Sequence, residues 1–288
     1  MSLLRIDEER VNALARALRE LGVDGVAELE SRDPQFLAIA SLCSRAGVLT
    51  PLLAAINATV SYMLSGRGED YWWEFSTRVR VVGRGLRDAV DAVAKFLQGS
   101  SYNRRFLSIK LARLRKLTRC RALERSVQPL PDRSVIAELR MVLAQCLGGD
   151  RDSKTVVFAA KMYYYGLRAC LGYTGTLPME IPIPVDRRVA TVTAASGLVE
   201  GGTGRGFVEL LTRRRAVVQR AWSLVAKRSG IAPLHIDSVI WPLARFIHLD
   251  RCLITDALTQ LRSAGTPPNV LKRVERLLNE LCWKSRRT

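Results

Sequence analysis

The chain has few histidines: two, His235 and His248, in 288 residues. Neither a zinc site nor a histidine-based triad is well supported by so small a supply. The six cysteines, Cys43, Cys120, Cys146, Cys170, Cys252 and Cys282, include no C-x-x-C pair. Most sit in apolar helical contexts, and they read as reduced core thiols of a cytoplasmic protein. Acidic residues are scarce beside basic ones, 27 Asp+Glu against 45 Lys+Arg, and the net charge is +18. An excess of that size points to a polyanionic partner, most simply nucleic acid, with a basic membrane-surface protein as the rival. No apolar run reaches the roughly 18 residues that suggest a membrane span. The start, MSLLRIDEERV, is amphipathic and acidic and does not read as a signal peptide. No segment alternates with period two over a convincing length, and no internal repeat is visible.

What is present is helix. Hydrophobic residues make up 48% of the chain, enough for a sizeable core and one or two domains. Asp7 caps a first helix with Val11, Leu14, Leu18 and Leu21 at helical spacing, and a short helix follows near Gly25–Glu30. Asp33-Pro34 and Thr50-Pro51 are helix starts with proline in the first turn. Further helices are predicted over Asp70–Val81, with Trp72 and Trp73, and over Arg84–Leu97. The stretch Asn103–Arg125 sets Leu107, Leu111 and Leu114 among many arginines and lysines. It is either a solvated face or a flank on a phosphate backbone. Pro129-Leu130-Pro131-Asp132 reads as a linker. Arg133–Leu147, a Gly148–Asp152 turn and a long helix to Leu171 form a hairpin. Beyond it lie a Gly-rich loop, Glu200–Gly206, and helices to the C-terminus.

The stretch Ser153–Asp186 carries the chemistry. Lys154 opens an apolar helix, in surroundings that disfavour a charged amine, and a neutral lysine is a nucleophile. A lysine in a first turn also has the option of snorkelling to solvent. Lys154, Phe158, Lys161 and Tyr165 share one helical stripe; Val157, Ala160, Tyr164 and Leu167 form another, suited to core. The run Ile181-Pro182-Ile183-Pro184-Val185-Asp186 is extended and delivers a carboxylate just before a helix, where aspartate is ordinarily an N-cap.

These pieces resemble the helix–hairpin–helix DNA glycosylases. Asp33-Pro34-Gln35, Ile56–Tyr62, Lys154–Phe158 with Lys161, Ile181–Asp186, and Pro233–Asp237 with Trp241 are similar to the archaeal 8-oxoguanine DNA glycosylase/lyases, in the same order over about residues 5–250. Two departures stand out. The hairpin reads Gly148-Gly149-Asp150-Arg151-Asp152 where the superfamily has Gly-x-Gly before its lysine, putting two acids where a phosphate would approach. The four closely spaced cysteines of the iron–sulfur branch are missing.

The resemblance implies an all-α enzyme of two helical subdomains with a cleft between them, approximately residues 1–70 plus 200–288 and residues 71–199, the latter with the hairpin 133–171 and a catalytic loop 172–186. It implies a Schiff-base lysine at Lys154 and a catalytic carboxylate at Asp186. A base pocket would be formed by Gln35, Ser61, Trp72, Phe158, Lys161, Pro184, Asp237 and Trp241. Trp72 rather than Trp73 is the pocket residue in this alignment, and the Pro184 carbonyl would accept the N7–H that distinguishes 8-oxoguanine from guanine. Taken alone, Phe158 and Trp241 read equally as core, and Asp237 as a cap. The expected partner is DNA containing 8-oxoguanine, with no metal or organic cofactor, no membrane and a monomeric state. Excision of another damaged base, or a non-enzymatic basic helical module, are the alternative readings.

Overall fold

The structure is a computed structural model that describes residues 3–125 and 134–286. The Pro129–Asp132 linker lies outside the described residues. The helices, in chain order, are α1 (Glu8–Glu30), α2 (Pro34–Ala40), α3 (Cys43–Ala46), α4 (Thr50–Val60), α5 (Gly68–Arg78) and α6 (Leu86–Gly99). They continue as α7 (Leu107–Thr118), α8 (Arg121–Arg125), α9 (Ser134–Leu147), α10 (Lys154–Leu171) and α11 (Arg187–Ala195). The last are α12 (Gly204–Arg213), α13 (Arg215–Ser229), α14 (Pro233–Leu243), α15 (Ile254–Ser263) and α16 (Pro268–Leu281). The only strands among the described residues are two-residue pieces, Arg5–Ile6 paired antiparallel with Val199–Glu200. The fold is all-α.

The chain divides into two compact units: residues 34–178, and residues 1–33 with 179–288. This differs from the boundaries expected near residues 70 and 199. Helices α2 and α4 belong with the middle of the chain because α10 packs on both of them.

In the middle unit, α4 is buried along its whole length and α10 lies across it. The approach is close because Gly166 has no side chain: a Cβ there would sit 2.4 Å from the Pro51 Cα. Tyr71, Trp72, Phe75 and Phe96 add an aromatic cluster beside them, edge-to-face except for the tilted Tyr71–Phe96 pair. Residues 34–60 together are apolar, with mean hydropathy 1.6 over an 18-residue window. They are broken into separate helices, of which the longest, α4, has 11 residues. That is well short of the roughly 20 residues a helical span requires.

In the other unit, α1 is the centre, and α13, α14 and α16 pack against it. Its predicted break is real: Gly22 (φ 72°, ψ 167°) interrupts the helix, so that Gly25, Val26 and Leu29 are buried by a second short segment. Arg10 locks α1 in place. Its Nε donates to the Ser196 carbonyl (2.8 Å), its guanidinium pairs with Glu280 (2.8 Å), and it lies 4.2 Å over Trp283.

The reading of the cysteines as reduced thiols is corrected. Cys43–Cys170, Cys120–Cys146 and Cys252–Cys282 form disulfides, with Cα–Cα separations of 5.3, 5.7 and 6.1 Å. The partners lie 127, 26 and 30 residues apart in sequence, so local spacing could not reveal which ones packing brings together. Each bond lies within one unit.

Candidate active site

In the middle unit, α9, the Gly148 turn and α10 form the predicted hairpin. Gly148 (φ 65°) makes the turn. The two acids that seemed to obstruct it have local partners: Asp152 pairs with buried Arg140 (3.1 Å), and the Asp150 carboxylate accepts the Asp152 N–H (2.8 Å). Lys154 is the first residue of α10, and it is half-buried rather than enclosed, because the helix end reaches the surface. Burial deepens along its stripe. Phe158 is also half-buried, whereas Lys161 and Tyr165 are 1% and 0% exposed, with the Lys161 Nζ 5.4 Å from the Tyr165 ring centre. The second stripe, Val157, Ala160, Tyr164 and Leu167, is core.

Trp72 is buried and meets Phe158 edge-on, with ring centres 6.0 Å apart, while Trp73 faces outward. Trp72 thus packs on Phe158, which stands one helical turn along α10 from Lys154. Gln35 is buried at the start of α2. Ser61 ends α4, and its hydroxyl donates to the Asn57 carbonyl (2.7 Å). The neighbouring Tyr71 hydroxyl donates to the Asn57 side-chain carbonyl. Burial raises the Tyr71 phenol well above its usual range.

The basic helix α7 is not simply a charged face. Lys110 is fully buried, donates to the Asn103 side-chain carbonyl (2.6 Å) and lies 4.8 Å from the Tyr62 ring centre. Burial pulls its ammonium down to about 8. The Arg113 guanidinium donates to the Thr155 hydroxyl (2.9 Å), one residue from Lys154, and its pKa is lowered by burial. Arg113 was visible in the sequence only as one of many cations.

In the other unit, Asp186 does cap a helix: its Oδ1 accepts the Val189 N–H at 3.0 Å. Its second oxygen accepts the Trp241 indole N–H at 3.1 Å. Asp186 is thus held by two donors, and Trp241 is tied to it directly. The Arg188 guanidinium lies 4.1 Å over the Trp241 ring, so a purine stacking on Trp241 has to use the other face or displace Arg188. Pro184 is buried in the extended run before Asp186, and the Gln219 side-chain amide fixes that run by donating to the Ile183 carbonyl (3.3 Å). Asp237 is 2% exposed in α14, one turn before Trp241. The buried pair His235–Glu30 (2.7 Å) pins this helix to α1. Arg188 and Gln219 were not singled out from sequence, because their partners are brought to them only by tertiary packing.

A family model described as N-glycosylase/DNA lyase, AGOG, matches residues 15–279. The chain belongs to the AGOG family. Among the proteins similar to it are three N-glycosylase/DNA lyases. That of Methanopyrus kandleri is 40% identical over 66% of this chain and 70% of its own length. That of Thermococcus kodakarensis is 34% identical over 82% of this chain and 85% of its own. That of Pyrobaculum aerophilum is 31% identical over 83% and 88%. A crystal structure of the 8-oxoguanine DNA glycosylase from Pyrobaculum aerophilum, complexed with 8-oxoguanosine, matches with a TM-score of 0.72 at 28% identity, covering 94% of this chain and 97% of that one. This AGOG chain is accordingly a DNA repair enzyme, an N-glycosylase and DNA lyase.

Proposed function

We propose that the enzyme excises 8-oxoguanine from DNA through a Schiff base on Lys154 and then cleaves the strand by β-elimination. The observation that carries this reading is the first turn of α10: an accessible lysine on one stripe with Phe158, itself edged by Trp72. A nucleophile beside an aromatic wall suits attack on a nucleotide whose base has been taken out of the stack. The crystal structure of the relative, complexed with 8-oxoguanosine, supports the choice of base.

The Lys154 amine attacks C1′; the C1′–N9 bond breaks, its electron pair leaves with the base, and the base takes up a proton. Ring opening at the C1′–O4′ bond gives a protonated imine between Nζ and C1′. That imine acidifies C2′, whose proton is lost as the C3′–O bond breaks and the 3′ phosphate leaves. Hydrolysis of the imine returns the lysine. Asp186 is the carboxylate assigned to receive the amine's proton and to stabilise positive charge as it builds on the sugar. Its two fixed hydrogen bonds hold it in one orientation. Gln35, Ser61 and Asp237 are the candidates for reading purine edges, Lys161 is the second lysine of the pocket, and the Pro184 carbonyl is the acceptor for N7–H.

The test is borohydride trapping on an oligonucleotide carrying 8-oxoguanine. The parent is expected to give a covalent complex, and Lys154→Gln to lose both the complex and base release while still binding DNA. Substantial trapping by Lys154→Gln would assign the nucleophile elsewhere, first to Lys161.

A further inference from the structure

The Gly-rich loop that the sequence displays at Glu200–Gly206 plays no part in the chemistry above. In the structure it leads into the first turn of α12, with Gly201 and Gly204 at positive φ (126° and 69°). Thr203 makes no side-chain cap there, so its hydroxyl does not occupy the first N–H groups of the helix. Gly204 and Arg205, where the loop enters α12, line a pocket of about 490 Å³ together with Arg187, Arg188, Thr191, His248 and Asp250. All of these belong to the unit built from the chain's two ends. Arg187 and Arg205 are exposed, and among the described residues no ion pair is formed by either. Three arginines and one aspartate line this cavity.

We propose that this pocket binds a backbone phosphodiester of the DNA substrate, held by Arg187, Arg205 and the first turn of α12. The proposal rests on the reading of the enzyme as a glycosylase acting on 8-oxoguanine in DNA. A glycine-rich turn running into a helix N-terminus brings backbone N–H groups and the positive end of the helix dipole to an anion. Guanidiniums supply planar, charge-assisted donors to phosphate oxygens. Without side chains at Gly204 and Gly206, where an added Cβ would meet nothing within 4 Å, the backbone is open to close approach. The pocket also shares a wall with the catalytic segment. Arg187 and Arg188 directly follow Asp186, and Arg188 covers Trp241. A phosphate seated here therefore registers the strand against the residues that begin α11, and it competes with Trp241 for Arg188. Contacts of this kind position a duplex without reading its sequence.

The experiment uses the full-length enzyme and a duplex with one 8-oxoguanine, in which single phosphates flanking the lesion are replaced by neutral methylphosphonates. For the parent, one or two positions are expected to weaken binding. Arg205→Gln and Arg187→Gln, tested separately, are each expected to lower the magnitude of the log K against log salt slope, by about 0.9 for every phosphate no longer neutralised. Each is also expected to become insensitive to methylphosphonate at the position it touches, whereas Arg205→Lys retains the slope. Both side chains are exposed, and circular dichroism melting checks that each variant is folded. Unchanged slopes, or methylphosphonate penalties that add in full to both substitutions, overturn the proposal. Inorganic phosphate provides a separate arm: if Arg205→Gln abolishes its binding but leaves the DNA slope intact, the pocket takes a free anion and the proposal is wrong. A parent that binds this duplex through the pocket but releases no base from it sinks the glycosylase reading and leaves the pocket standing.

Discussion

Asp186 was legible as far as its immediate neighbours reach. A carboxylate before Arg187-Arg188-Val189 signals an N-cap, and the side chain does accept the Val189 N–H. Its second partner was not legible: Trp241 lies 55 residues on, and it was read either as a base-pocket residue implied by the resemblance or as core. The hydrogen bond alters what substitution there should do. Trp241→Phe keeps an aromatic ring but removes the donor to Asp186. A hydrogen bond to a charged group contributes about 1.5–3 kcal/mol, so the single-turnover rate of base release at saturating enzyme should fall about 10- to 100-fold. DNA affinity should change much less. An unchanged rate in Trp241→Phe would mean that the indole N–H has no part in orienting the carboxylate. The Lys154 environment was misjudged in the same way, since an apolar run suggests enclosure even when its first turn stands at the surface.

The helices themselves were largely readable, because apolar spacing and proline or glycine punctuation are local signals. Which face of α7 turns inward was not. Leu107, Leu111 and Leu114 formed the visible stripe, yet Leu107 and Leu111 are only half-buried, and Lys110 goes fully inside with Leu114 and Leu117. Its burial is possible because Asn103 accepts one N–H and the Tyr62 ring receives the charge, neither of which periodicity can show. This has a pH signature. Lys110 in the folded protein releases its proton near pH 8, below the ordinary lysine value of about 10.4. Between these values the unfolded chain binds more protons, so this group makes stability rise with pH across that window and contributes no slope well below pH 8. Urea unfolding of Lys110→Met from pH 7 to 10.5 should show a smaller rise than the parent. Equal slopes would mean that Lys110 titrates normally in the fold.

At the scale of the whole molecule, the charge pointed to a polyanion, most simply nucleic acid, and the motifs in their order carried the resemblance to the family. The limits of the two compact units depend on α10 packing on α2 and α4, contacts that no local pattern shows. The disulfides were the largest miss. Each closes a loop of 26 residues or more, and removing a native cross-link of this kind typically costs about 2–5 kcal/mol. Reduction and alkylation should therefore lower the melting temperature measured by calorimetry, and a melting temperature unmoved by complete reduction would deny the bonds any stabilising role. The division of the chain has a further consequence, for synthesis. Residues 34–178 are continuous, but α1 is made before them and packs against α13, α14 and α16, which are made after them. At about 5–20 residues per second, roughly ten to fifty seconds separate the emergence of Val11, Leu14, Leu18 and Leu21 from that of the helices that cover them. For the later part of that interval the nascent chain carries an apolar helix still without its partners, while the lysine-bearing unit that follows it has already been made.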